Sequence, residues 1–212
     1  MRFDFERIPP AARYELLLGA IVPRPIVLVV TLSPDGALNV APYSLFSVIS
    51  HAPPVVAFSV LPHAEGRLKD TARNIAANGE FVLSLVSEDM AEAMNLACID
   101  APYGTDEAKL AGLTTAASAK VAPPRIAESA VSFECRFERS VSFGPDQLTI
   151  FGRILEADVA DGLVRDAARG VIDTPELKAI GAMHGARWYA RTRDLFAMDR
   201  PTWAGWRKDG KV

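Results

Sequence analysis

Residues 26–42 read IVLVVTLSPDGALNVAP, and this stretch decides the fold. Ile26–Thr31 is short, aliphatic and β-branched, the pattern of a strand buried on both faces. Ser33-Pro34-Asp35-Gly36 stops it, with proline at the second turn position, where its fixed φ fits. Ala37–Ala41 then reads as a second strand, ended by Pro42, which has no N–H to give a sheet. A third apolar run, Val55–Leu61, follows Pro53-Pro54. Three short strands separated by turns, with no helix between them, argue for antiparallel β as a barrel or a sandwich.

Upstream, Ala11–Ala20 is a short amphipathic stretch, and Ile21-Val22-Pro23-Arg24-Pro25 is held extended by its prolines. Downstream, the period changes. Leu68, Ala72, Ile75 and Ala76 fall at helical spacing, with Gly79 as the C-terminal stop. Glu80–Val86 returns to strand, and Asp89–Ala97 and Thr105–Leu113 read as two short helices around the Tyr103-Gly104 turn. After the Val121–Pro124 linker comes a long β region: Val131–Phe143, a turn at Gly144-Pro145-Asp146, and Leu148–Val159. Val131–Glu138 alternates strictly, with its apolar face on the odd positions. The remainder reads as a helix at Leu163–Gly170, an irregular stretch through His184, and a short strand at Leu195–Met198. The fold class expected is mainly β with α, an α+β chain in one domain, residues 1–212, built on an antiparallel barrel.

Composition narrows the function. The chain has 212 residues, half of them hydrophobic, with 23 Lys+Arg against 26 Asp+Glu. A net charge of −3 with no basic block is a poor match to a nucleic-acid partner, whose binding rests on many Lys/Arg–phosphate contacts. The longest aliphatic run, Ile26–Val30, is far short of the roughly 20 residues that span a bilayer. The N-terminal MRFDFERIPP lacks the apolar core of a secretory signal, and Cys98 and Cys135 stand alone with no CxxC. A cytoplasmic protein with reduced thiols outside the chemistry is expected.

Side-chain chemistry has little to build on. There is no HExxH, GxSxG, GxGxxG or GxxxxGK[ST], and His51, His63 and His184 are isolated. Two segments stand out instead. In SVLPHAEGRLKDTARN (59–74), a strand ends near Ser59 and a helix begins at Lys69-Asp70-Thr71. Helix N-termini present unpaired N–H groups and the positive end of the dipole, so Arg67, Lys69, Thr71 and Ser59 can cradle one phosphate. The plainer reading makes Asp70 or Thr71 an N-cap and Arg67 and Lys69 a solvated face. In Asn39-Val40-Ala41-Pro42-Tyr43-Ser44, a strand runs into an irregular turn whose backbone N–H groups can meet the polar edge of a flat heteroaromatic. The plainer reading has Asn39 and Ser44 satisfying a barrel corner. Missing catalytic side chains point to chemistry supplied by a cofactor.

At these segments the sequence resembles the flavin reductase-like, FMN-binding split-barrel family. The motifs are PRPIVLVVT, NVAPYSLFSVIS followed by PPVVAFS, and KDTARNI with GEFVLSLV; GAMHGARWYARTRDLFAMDRP resembles the family's closing segment. The resemblance implies an antiparallel split β-barrel with flanking helices, a homodimer binding FMN non-covalently near its interface, and NADH or NADPH as electron donor. It implies that Asn39, Ala41, Pro42, Tyr43 and Ser44 line the isoalloxazine and ribityl, and that Ser59, Arg67, Lys69, Asp70 and Thr71 surround the phosphate. It also places His184 near the flavin, with His184-Gly185 standing where the family commonly has Gly-Gly. No residue emerges as a catalytic acid or base. Three functions follow as alternatives: an FMN-dependent reductase of flavin or another small acceptor, a non-enzymatic FMN carrier, and a barrel that has lost its ligand.

Overall fold

The computed structural model describes residues 1–61, 68–144 and 147–208. Helix α1 (Pro10–Ala20) starts on Pro10, where the missing N–H costs nothing, and none of its residues is buried. The strands β1 (Arg24–Pro25), β2 (Val27–Leu32), β3 (Leu38–Tyr43), β4 (Phe46–His51) and β5 (Pro54–Val60) follow. Next come α2 (Asp70–Asn78), β6 (Glu80–Leu85), α3 (Ala91–Leu96), α4 (Glu107–Leu110), β7 (Thr115–Ala116) and β8 (Arg125–Ile126). The long hairpin β9 (Val131–Ser142) and β10 (Leu148–Val159) precedes β11 (Val164–Asp166), β12 (Val171–Ile172), β13 (Ile180–Ala182), β14 (Tyr189–Arg191) and α5 (Trp203–Lys208).

Seven strands form one antiparallel sheet in the order β3-β2-β6-β9-β10-β5-β4. Its two ends, β3 and β4, are joined by only Ser44-Leu45. The Ser59 N–H of β5 donates to the Leu45 carbonyl at 2.9 Å, and Tyr43 meets Phe58 edge-on with ring centroids 5.1 Å apart. The sheet therefore curls until its ends approach without pairing, a barrel left split at one seam.

Ile26–Thr31 is buried on both faces, as its aliphatic run predicts. Val27 and Val29 pack inward with Phe58, Phe81, Cys135 and Ile150. Leu28 and Val30 pack on the other side with Met90, Met94 and Ile126. Each such side chain contributes roughly 1.5–3 kcal/mol by leaving water. The even positions of β9 are not a polar outer face: Ser132 and Glu134 are buried, the Glu134 carboxylate accepting the N–H of Ala119 at 2.7 Å and of Lys120 at 2.5 Å.

Three expectations for the elements are corrected, and one strand is added. The helix expected at Leu163–Gly170 is instead a short 3-10 turn leading into the β11–β12 pair, whose turn carries Gly170 at φ 65°. The strand near the C-terminus is Tyr189–Arg191, not Leu195–Met198, because the partner it needs is β13. The Thr105–Leu113 helix shrinks to Glu107–Leu110 between Gly104 and Gly112, both with positive φ. Phe46–His51 is a full strand that the sequence reading passed over. Residues 145 and 146 of the expected hairpin turn lie outside the described residues.

Candidate functional site

Helix α2 begins where Lys69 holds an extended backbone, φ −64° and ψ 153°, and the Lys69 side chain makes no capping hydrogen bond. It ends on Gly79 in the left-handed region, φ 70°, which glycine adopts without strain. A buried polar network fixes this helix to the barrel. Asn39 Nδ2 donates to the hydroxyls of Thr31 and Thr71, each at 3.1 Å, and Asn74 Nδ2 donates to Thr31 at 3.0 Å. The Asn39 amide is thus turned inward and sets the position of the α2 N-terminus.

Beside that N-terminus, Tyr43 is buried and its hydroxyl has no hydrogen-bond partner among the described residues. Burial pushes its phenol up to about 12, with the Thr71 hydroxyl opposing and the Asp70 charge adding to the rise. A donor left unpaired out of water costs about 1–3 kcal/mol, which an acceptor brought by a ligand would recover.

One pocket gathers Asn39, Ala41, Pro42, Tyr43, Lys69, Asp70 and Thr71, so most of the residues expected at the site share its wall. The segment following α3 closes the other side, with Cys98 and Asp100, and α4 contributes Glu107. Glu107 Oε2 accepts the Val40 N–H at 3.0 Å, and burial raises its carboxyl above the usual range. On an edge strand the outward N–H groups alternate, so the next outward position after Val40 is Pro42, which has no N–H. A ligand at this edge therefore meets a carbonyl at Pro42 rather than the donors the sequence suggests.

Ser44 and Ser59 lie apart from this pocket, together in a neighbouring groove with Arg24, Phe46, Phe58 and Thr149. Ser59 Oγ sits 3.0 Å from Thr149 Oγ1. His184 is exposed and stacks on Trp188, with centroids 6.0 Å apart and rings inclined by 22°. Arg67 lies outside the described residues.

Sequence reasoning missed the far wall of the pocket, Glu107 and the segment from Ala97 to Ala101 that carries Cys98 and Asp100. Glu107 is signalled only by the Asp106 cap on Lys109 N–H at 3.0 Å, which marks the start of α4 but not its reach to Val40. No basic residue lies close to Cys98 in sequence, but the fold brings the Lys69 charge to act on it. Burial nonetheless holds its thiol above the ordinary value. Cys135 is buried and raised further by the same cause, and both cysteines are free. The described residues contain no cluster of His, Cys, Asp or Glu able to hold a metal ion, and no described helix is long and apolar enough to cross a membrane.

A family profile described as a flavin reductase-like domain matches residues 18–172. An uncharacterised protein of Deinococcus radiodurans is 40% identical over 97% of this chain and 92% of its own length. Among solved structures, nitrilotriacetate monooxygenase component B from Bacillus cereus aligns with a TM-score of 0.88 at 32% identity, covering 93% of this chain and 98% of that one. The 2-nitrobenzoate 2-nitroreductase of Pseudomonas fluorescens aligns with a TM-score of 0.87 at 28% identity, covering 96% and 98%.

Proposed function

This chain belongs to the flavin reductase-like family, and from that premise we propose that it is an FMN-binding oxidoreductase using NADH or NADPH to reduce flavin or another small acceptor. The observation that carries the reading is the unpartnered Tyr43 hydroxyl, set beside the α2 N-terminus and Lys69 in one pocket. Those groups set donors and a positive charge in one pocket, matched to an anionic, oxygen-rich ligand. FMN supplies, when bound, a ring that takes a hydride and passes electrons on.

The chain's own part is to bind, orient and exclude water. Lys69 and the first N–H groups of α2 neutralise the phosphate, with Arg67 assigned to the same task. Asn39 holds Thr71 in place, and Asp70 begins the helix. Ala41, Pro42 and Ser44 offer the flat edge of the seam to the ring, with His184 assigned to its margin; Ser59, which the resemblance sets at the phosphate, lines the neighbouring groove. With no catalytic acid or base assigned, rate comes from proximity and orientation. A non-enzymatic FMN carrier is the alternative that the experiment below separates.

The same reading makes the protein a cytoplasmic homodimer. Helix α1 has no buried residue, and Val48 and Ile49 of β4 are 67% and 55% exposed. An isolated helix this short is marginal in water, and a second copy laid over α1 and β4 would bury both.

The test is an anaerobic absorbance titration. FMN should bind at least tenfold more tightly than riboflavin, since a charge-assisted hydrogen bond contributes about 1.5–3 kcal/mol. NADH or NADPH should then bleach the bound flavin. Equal affinities would remove the phosphate site, and FMN bound but never bleached would leave a carrier in place of a reductase.

A further inference from the structure

Arg24 is 5% exposed and forms no ion pair among the described residues. Its Nη1 donates to the carbonyls of Leu18 and Ile21, and its Nη2 to that of Met183 at 2.7 Å. Nε has no partner. A guanidinium carries five N–H donors, so the carbonyls leave Nε–H and one Nη2–H unused. The three carbonyl bonds staple α1 to the segment after β13, but they leave the charge itself uncompensated. A buried cation without a counter-charge is costly, and an anion is what would offset it.

Two grooves meet at Arg24. One runs along α1 and includes the Glu15 carboxylate, which repels anions. The other, about 420 Å³, is walled by Ser44, Phe46, Phe58, Ser59 and Thr149, and Arg24 is the charged side chain among its described walls. That volume suits a small ligand. Aromatic walls take a flat ring, the hydroxyls take a polar substituent, and a rigidly held guanidinium takes a planar oxyanion.

We infer that this groove binds a small aromatic carboxylate, with its carboxylate on Arg24, as the acceptor's place beside the flavin pocket. The inference deepens the proposed function by naming the charge of the acceptor, and its role as acceptor rests on that reading. The binding itself does not. Because Nε is sealed from solvent, the wall must yield locally as the anion enters, and the contact then forms in a poorly screened setting.

The experiment is isothermal titration of the full chain with benzoate and with benzamide, its neutral isostere, before and after loading with FMN. Benzoate should bind at least about tenfold more tightly than benzamide in both states, and more weakly as salt rises. Arg24→Lys should erase the preference. Glu15→Gln, in the other groove, should leave it unchanged. Equal binding of the two probes, no binding of either, loss of benzoate on FMN loading, or tightening by Glu15→Gln overturns the inference. If Arg24→Lys does not fold, the probe pair on the parent chain decides. Failure to take up FMN counts against the flavin reading, because benzoate is also read on the FMN-free protein.

Discussion

Lys69 and Tyr43 line the same pocket, one as a charge at a helix start and the other as a buried hydroxyl. Lys69→Ala should weaken FMN binding about tenfold, the share of one charge-assisted hydrogen bond, while riboflavin affinity and the thermal midpoint stay within error. Fluorescence-quenching titrations of both flavins check it. If FMN affinity is unchanged, Lys69 is a solvated residue. The helix entrance was legible in the sequence because its residues are contiguous and capping is local chemistry. Glu107, Cys98 and Arg24 were not, since their meaning lies in what they meet. Glu107 reaches Val40, and Arg24 is read only once Met183 lies beside it. No period or spacing announces such pairings.

At the scale of elements, Gly152 shows how closely β10 lies over the barrel core. A Cβ there would stand 2.2 Å from Phe81 Cζ, and Phe81 is fully buried. Gly152→Ala should therefore destabilise the protein by about 1–3 kcal/mol through overpacking, read as a lower urea midpoint. An unchanged midpoint would mean that the bulge between Phe151 and Gly152 opens freely.

Glu88 joins the last strand to the rest by accepting from both Arg191 and Arg193. Its hydrogen bond from Arg191, helped by both positive charges, holds its carboxyl below the ordinary value of 4.5. A folded value below the unfolded one adds stability that is present above the unfolded value and is lost as pH falls through the folded one. Hydrogen exchange at 189–193 should accelerate as pH drops below about 4.5 beyond its intrinsic trend, and Glu88→Gln should abolish the extra dependence. A Glu88→Gln profile identical to the parent's would rule this clamp out.

The β2–β3 and β9–β10 hairpins could be read directly, because strand period and turn chemistry are local, but the alternation of β9 did not reveal that Ser132 and Glu134 are buried. Leu163–Gly170 misled because its helical spacing yields to an Arg165–Asp173 ion pair and the pairing of β11 with β12. Leu195–Met198 has strand character without a partner, so it forms no strand. Strands are settled by neighbours, and neighbours distant in sequence are invisible in a run of letters.

For the whole molecule, the proposed dimer rests on the exposed faces of α1 and β4. Val48→Asp should convert a dimer to a single sedimenting species near 22.9 kDa, because an unpaired carboxylate in an apolar contact costs several kcal/mol. If the parent already sediments at that mass, the faces are free surface.

The two-residue link at Ser44-Leu45 also governs how the chain must come together. It joins the outermost strands of the sheet, so the β2–β3 and β4–β5 hairpins, though made early and from adjacent residues, do not complete each other. β6 finds β9, and β5 finds β10, only across long intervening stretches, and closing those loops is the slow, entropically costly part of assembly. During synthesis, a nascent chain ending before Val131 already carries Asn39, Tyr43, Lys69 and Thr71 but lacks the β9–β10 staves that bring its two hairpins around to one another. Competence to hold a ligand therefore comes late, when the second half of the chain leaves the ribosome and closes the first.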